Sequence, residues 1–438
     1  MKTRIALFLI LPALLLAQSK RDRQPEPLVL AHVTVIDVTG GAPKPDMTVV
    51  ITGDRISEIG EAGKVVAAPG ATVVDATGKF LIPGLWDMHV HWYIRDTFTL
   101  FTANGVTGIR EMFGASDLLR WRQDIAKGSL LGPRMIVASP IIDGPRPVWP
   151  NSIAVRNEDE GRKAVRNVKQ WGADFVKVYS LLPRDAYFAI ADEAKRQGLT
   201  FVGHVPNSVS PAEASDAGQK SIEHLTGMRA RAEAMALETY NDRKAAELFA
   251  RFVKNETWQC PTLTVLRSKA YLEDENFRRD QRLKFIPRQI KDRWSLRIAN
   301  RNEENYANAK KVFQKELEIV GAMRKAGVQL LAGTDTGNPF CFPGFSLHDE
   351  LALFVLAGLT PVEALRSATL NPAKFLGLDK TLGTIEQGKV ADLVLLDANP
   401  LEDVRNTQRI NAVVSNGRLF DRKALNKMLA QAEGATNR

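Results

Sequence analysis

Apolar positions change rhythm twice along the chain. Over residues 28–80 they fall in short β-branched runs separated by turn residues. Residues 28–38 are rich in Val, Ile and Thr and stop at Thr39-Gly40-Gly41. Residues 47–51 stop at Gly53-Asp54, a hairpin signature. Residues 56–59 continue, and Val73-Val74 precedes a turn at Thr77-Gly78. No 3.6-residue period appears there, so the stretch predicts strands. From residue 81, short apolar runs alternate with amphipathic helical stretches, which predicts parallel β/α units. The strand candidates are 85–91, 106–111, 134–139, 174–179, 200–205, 220–225, 261–266 and 328–335. Eight such units suit a closed (β/α)₈ barrel; counting alone leaves an open doubly wound sheet as the other arrangement.

Thr360-Pro361-Val362-Glu363 carries an N-cap, an N1 proline and a capping glutamate, and predicts a helix that runs toward Asn371-Pro372. Residues 390–397 and 412–414 then return to strand character, with Asn416-Gly417 as a turn. The expected class is therefore α/β: a (β/α)₈ TIM barrel over residues 83–383, with a small β-sandwich module formed by the N- and C-terminal segments, 28–82 and 384–425. The 267–327 stretch is longer than one connection needs and helical in pattern, and is expected over the barrel mouth. There is no internal repeat and no low-complexity segment.

The start of the chain adds a compartment. Lys2 and Arg4 precede an apolar run over 5–17, and Ala17-Gln18-Ser19 offers small residues for cleavage. This pattern predicts a signal peptide over 1–19, a charged linker over 20–27, and a periplasmic or secreted protein. The run is shorter than the roughly 20 residues of a spanning helix. No stable membrane anchor is expected, although an uncleaved anchor is the competing reading. The net charge is +9, and loss of Lys2 and Arg4 with the leader leaves +7. That balance favours anionic substrates or surfaces. The basic residues are scattered and accompany no nucleic-acid motif, so no nucleic-acid partner is expected. Cys260 and Cys341 are the only cysteines. Export would permit a disulfide between them, but spacing gives no geometry.

Chemistry-bearing residues gather at predicted strand ends. His89 and His91 alternate with Met88 and Val90, so they share one face of the first strand. Adjacent imidazoles suit zinc, though His-x-His alone is a weak signal. Lys177 and Tyr179 share a face of the fourth strand, and a lysine inside a buried strand needs a partner or a task unless it snorkels from the strand end. His204, His224 and Asp335 end the fifth, sixth and eighth strands. Each alone reads best as a satisfied core group. Together they sit at carboxyl ends, which in a barrel converge on the face where active sites form. Arg110 ends the second strand and suits either a substrate carboxylate or an internal salt bridge. His348 suits either the mouth or a helix cap, and His32 a structural place in the β-module.

The stretches Leu81-Ile82-Pro83-Gly84-Leu85-Trp86-Asp87-Met88-His89-Val90-His91, Phe175-Val176-Lys177-Val178-Tyr179, Ser221-Ile222-Glu223-His224 and Ala332-Gly333-Thr334-Asp335, with Gly383-Thr384-Ile385-Glu386-Gln387-Gly388-Lys389-Val390-Ala391-Asp392-Leu393, carry a resemblance. Over about residues 28–420 the chain resembles the amidohydrolase superfamily, most of all its imidazolonepropionase-like and Xaa-Pro dipeptidase (prolidase-like) branch. The resemblance implies two divalent metal ions, zinc suiting the histidines best. His89, His91 and Asp335 would hold the buried ion, His204 and His224 the exposed one, and a carboxylated Lys177 would bridge them. It implies hydrolysis of a C–N bond by a metal-bridging hydroxide with Asp335 as the catalytic acid–base. The expected substrate is a dipeptide or N-acyl amino acid with a Xaa-Pro preference, met by Tyr179, Arg110 and His348; the alternative is a cyclic amide of imidazolone or hydantoin type. A non-catalytic scaffold would have lost ligands, and all six positions are present. A homo-oligomer is compatible with this reading.

Overall fold

The structure, a computed structural model, describes residues 26–66, 69–228, 242–299 and 303–436. The leader read over 1–19 and most of the 20–27 linker lie outside the described residues. Both ends of the described chain meet in one eight-stranded sheet. Its order is Arg418–Phe420, Ile410–Ser415, Leu393–Leu396, Phe80–Pro83, Leu28–Val35, Lys44–Thr52, Arg55–Glu61, with Thr72–Asp75 also paired to Leu28–Val35. The seam is antiparallel, with Ile82 opposite Val394. Its two hairpin signals hold: Thr52 faces Arg55 across Gly53-Asp54, and Ser415 faces Arg418 across Asn416-Gly417. Leu30, Val33, Val35, Val49, Leu81, Leu393 and Leu395 fill the core cluster of this sheet.

The rest alternates parallel strands with helices. Leu85–Val90, Val106–Glu111 and Arg134–Val137 form one parallel ladder. Phe175–Val178, Thr200–Gly203, Ser221–Glu223 and Trp258–Cys260 form a second, extended by the short pieces Ile142–Asp143 and Ile153–Ala154. A bridge between Ala138 and Phe175 joins the two ladders. The 328–336 segment lies between Trp258–Cys260 and the first parallel strand. Leu331 N donates to Gln259 O at 2.9 Å, Met88 N to Ala332 O at 2.8 Å, and Asp335 N to His89 O at 2.8 Å. Single parallel bridges from Gln259 to Leu330 and from Val90 to Thr336 thus link the second ladder, through the 328–336 segment, to the strand that carries His89. Gly333 permits this approach: a Cβ there would lie 2.5 Å from Cys260 Sγ and 2.8 Å from His89 Cβ.

The capping box at Thr360 and Glu363 forms as its residues predict, and opens Pro361–Ser367. Two strand expectations need correction. Residues 261–266 are not a strand: the strand is Trp258–Cys260, and Leu263–Ala270 is a helix. Thr262 turns the chain at φ 53°, and the buried Glu350 carboxylate caps the helix, accepting Leu263 N at 2.9 Å and Thr264 N at 2.6 Å. That cap comes from far along the chain, so β-branched Thr and Val mislead locally. Residues 328–335 make single bridges and shared hydrogen bonds rather than a ladder of their own.

Within 267–327, Arg288–Ala299 and Glu303–Lys325 are helices, as the pattern predicts. Trp294 Nε1 donates to Gly337 O at 3.1 Å, and its ring meets Phe340 and Phe342. The insertion thus packs on the loop that follows Asp335. Cys260 and Cys341 are both free and buried. No helix among the described residues is long and apolar enough to cross a membrane. Gly333→Ala is expected to lower stability by about 1–3 kcal/mol, the usual cost of overpacking. A thermal melt of the purified variant checks this, and an unchanged midpoint would show that the contact relaxes freely.

Candidate metal centre

The strand ends bring four imidazoles and two further donors into one buried cluster. His89 Nε2 and His91 Nε2 lie 3.6 and 3.3 Å from Asp335 Oδ1. The His89 ring lies 5.2 Å from that of His91 and 4.4 Å from that of His224, which in turn lies 5.0 Å from that of His204. His224 follows Glu223 directly, and strict alternation would turn it away. The strand ends at Glu223 and His224 takes φ 57°, so both side chains serve the same cluster. Asp335 and Thr262 share this left-handed conformation, at φ 57° and 53°. Each such residue costs on the order of 1–3 kcal/mol and persists where surrounding structure enforces it.

The ring orientations are set from behind. His89 Nδ1 bonds Glu223 Oε2 at 2.7 Å, His204 Nδ1 bonds Ser180 Oγ at 2.8 Å, and His224 Nδ1 bonds Thr262 Oγ1 at 2.6 Å. In each ring Nε2 is the nitrogen that remains, as in a metal-ligating histidine oriented by its outer partner. Burial holds all four imidazoles well below their ordinary pKa, His91 at about 3, so they are neutral. Lys177 Nζ is buried with no hydrogen-bond partner. Burial pulls its ammonium down to about 8, against the opposing pull of the Glu223 and Asp335 carboxylates.

Beneath the rings sits a buried charge pair. Arg110 Nη2 donates to both Glu223 oxygens at 3.0 Å, its Nε to Met88 O at 2.6 Å, and its Nη1 to Ser221 Oγ at 3.0 Å. Its guanidinium lies 5.0 Å from the Phe375 ring centre. This corrects the expectation that Arg110 binds substrate: its donors are spent inside the protein, and it is the internal salt bridge. His348 is corrected too. It is buried in Phe345–Leu356, with Nδ1 bonded to Thr407 Oγ1 at 2.9 Å and Nε2 to Asn104 O at 3.1 Å. Tyr179 does reach the centre, its ring stacked on His204 at 3.9 Å. His32 bonds Asp46 in the β-module, away from these groups.

The sequence reading missed the outer partners. Glu223 stood inside a quoted motif, but adjacency to His224 hid its role. Ser180 and Thr262 carry no local signal. Asp87 had one, because it shares the face of His89 and His91. It accepts Thr334 Oγ1 at 2.6 Å and Thr334 N at 3.0 Å, and so ties the first strand to the Asp335 segment.

The donor set fits divalent cations. His89 Nε2, His91 Nδ1 and Lys177 Nζ are buried polar atoms without hydrogen-bond partners, a costly state unless something else satisfies them. Neutral imidazoles with a carboxylate suit zinc, and also manganese, iron, cobalt or nickel. His89, Glu223 and Cys260 form a second close group. There the carboxylate is already committed to Arg110 and burial pushes the Cys260 thiol up, so this group supports the centre from below. Glu223→Gln keeps the shape and removes the charge. It is expected to lower metal affinity about 10- to 100-fold, read as metal per protein after dialysis against a graded chelator. Unchanged retention would remove Glu223 from this role.

The sequence profile of the Amidohydrolase family matches residues 80–420. An ochratoxinase of Aspergillus niger is 26% identical over 411 residues, covering 78% of this chain and 75% of its own. An imidazolonepropionase of Pseudomonas fluorescens is 25% identical over 371 residues, covering 80% and 87%. The solved structure of a presumed prolidase from Bifidobacterium longum superposes with a TM-score of 0.73 at 26% identity, covering 93% of this chain and 99% of its own.

Proposed function

The chain belongs to the amidohydrolase family, and from that premise we propose that it hydrolyses the amide bond of a dipeptide or N-acyl amino acid at a two-metal centre in the mouth of a (β/α)₈ barrel. That it is an enzyme acting on carbon–nitrogen bonds follows from the family and its hydrolase relatives. The observation that carries the finer reading is the convergence of His89 Nε2, His91 Nε2 and Asp335 Oδ1 beside the unpartnered Lys177 Nζ. In this reading His89, His91 and Asp335 would hold one ion, and His204 and His224 the other. Lys177, its neutral amine taking up CO₂ with loss of one proton to give a carbamate, would be the ligand they share; zinc is the favoured metal. Bound ions would lower the pKa of water and polarise the scissile carbonyl.

The chain's own groups do the rest. Asp335 takes the proton of the attacking water and returns it to the leaving nitrogen. Its backbone is fixed by the bond to His89 O, and its carboxylate lies within 3.6 Å of both histidines. Glu223 holds His89 in one tautomer, and Tyr179 lies over His204. The free carboxylate and Xaa-Pro preference are supported by the prolidase-like neighbour and the net positive charge. The exported setting read from residues 1–19 belongs to the same proposal. The imidazolonepropionase relative favours the second reading, a cyclic amide substrate.

A mass-spectrometric hydrolysis screen of the zinc-loaded protein tests this with Xaa-Pro dipeptides, other dipeptides, N-acyl amino acids and cyclic amides. Release of amino acids from one open-chain group is expected; turnover of cyclic amides alone would promote the second reading. Asp335→Asn should retain metal and lose turnover by about 10²–10⁴-fold, and wild-type rates would refute its assigned role. Lys177→Ala should hold fewer than two ions per chain. Two ions bound without an added short carboxylic acid would refute the carbamate.

A further inference from the structure

Two loops beside His204 are joined in a way the hydrolytic chemistry does not require. The 144–152 loop is pinned at its feet, where Ile142–Asp143 pairs in parallel with Ile153–Ala154. Val155 N donates to Asp143 O at 2.9 Å. The buried Asp143 carboxylate then divides between the two loops. Oδ2 accepts Val148 N at 3.0 Å, and Oδ1 accepts Leu181 N at 2.7 Å. Gly144 brings the backbones into contact, since a Cβ there would lie 2.1 Å from Leu181 O. Pro145, Pro147 and Pro150 fix φ at three more positions.

What this bracing holds up is apolar. Val148, Trp149 and Leu181 are 50%, 37% and 42% exposed. Single exposed apolar residues are common. Here three large ones stand on two loops that one carboxylate ties together, and neighbouring exposed apolar groups of this kind suit a ligand surface. The patch is coupled to the centre through one residue: Trp149 Nε1 donates to Tyr179 OH at 2.8 Å, and the Tyr179 ring stacks on His204.

We propose that Val148, Trp149 and Leu181 form an apolar seat for the group attached to the substrate's scissile carbonyl, so that bulky apolar acyl groups are selected over small or charged ones. The inference rests on the proposed function, in which His204 would hold one of the two ions that the scissile carbonyl approaches. It deepens that reading by naming the acyl side as the apolar one.

The test is isothermal titration of the zinc-loaded full chain with acetohydroxamic acid, hexanohydroxamic acid and a six-carbon hydroxamic acid ending in a carboxylate. These bind through a common metal-seeking head and differ only in the tail. At about fourfold per fully buried methylene, the four extra methylenes of the hexanoyl compound would add about 250-fold if all were buried; on this open seat it should bind about 30-fold or more tighter than the acetyl compound, and the carboxylate-ended tail should lose that gain. Trp149→Ala and Leu181→Ser, with metal content matched to wild type, should each shrink the ratio about fivefold or more. Trp149→Phe, which keeps the ring and loses the donor to Tyr179, should keep most of it. A flat series with firm binding of acetohydroxamic acid overturns the seat and leaves the hydrolase reading standing, as does a ratio that neither Trp149→Ala nor Leu181→Ser alters. No affinity for any hydroxamate, together with no turnover in the screen, overturns the hydrolase reading and the seat with it.

Discussion

The centre depends on one buried charge. Glu223 is fully shielded from solvent, and an unpaired polar group buried there would be costly. Arg110 makes it tenable, with two donors at 3.0 Å, and Arg110 is in turn satisfied by Met88 O and Ser221 Oγ. Removing one partner of such a pair typically costs about 3–5 kcal/mol, because the other charge is left uncompensated. The pair therefore does more than hold two strands together. It sets a carboxylate under His89 Nδ1, directs His89 Nε2 toward Asp335, and so orients a fully buried imidazole of the cluster. Lys177 feels the same carboxylate, which opposes the burial that drives its ammonium down.

Around this pair the backbone is packed closer than side chains would allow. Gly333 lets the Asp335 segment lie against His89 and Cys260, and Gly203, at φ 134°, lets the fifth strand approach Val178 beside Lys177. His224, Thr262 and Asp335 then adopt left-handed backbone without being glycine. The two features belong together. Close strand approach narrows the floor of the site, and the left-handed turns at the strand ends re-aim side chains that simple alternation would send elsewhere. Strain at these residues is offset by the bonds it makes possible, such as Thr262 Oγ1 to His224 Nδ1.

This explains which parts of the molecule could be read from sequence. His89 and His91 were legible because period-two alternation is a local rule and the first strand obeys it. The hairpins at Gly53-Asp54 and Asn416-Gly417, and the capping box at Thr360, were legible for the same reason. Strand seven was not, because its end is decided by Glu350, which caps Leu263–Ala270 from another helix. Arg110 was legible as a strand-end cation, but whether its fork meets a substrate or Glu223 depends on a contact across the sheet. His348 was misplaced by the same kind of distance: Thr407 and Asn104, which take up both its ring nitrogens, lie far from it in sequence.

The loss of Arg110 and His348 from the substrate side changes what the mouth is made of. Tyr179 remains, but its hydroxyl accepts from Trp149 and its ring covers His204, so its free surface is largely apolar. Recognition near His204 is therefore expected to turn on shape and burial more than on charge, and burial of apolar area acts without directional demands. A pocket of that kind separates substrates mainly by size, at a modest factor per methylene. Sharp chemical selectivity has to come from the buried Asp335 carboxylate and the imidazoles around it. With the proposed seat, a polar floor under a braced apolar rim would fix reaction type deep in the strands and leave substrate choice to a few exchangeable residues in the loops after Asp143 and Tyr179.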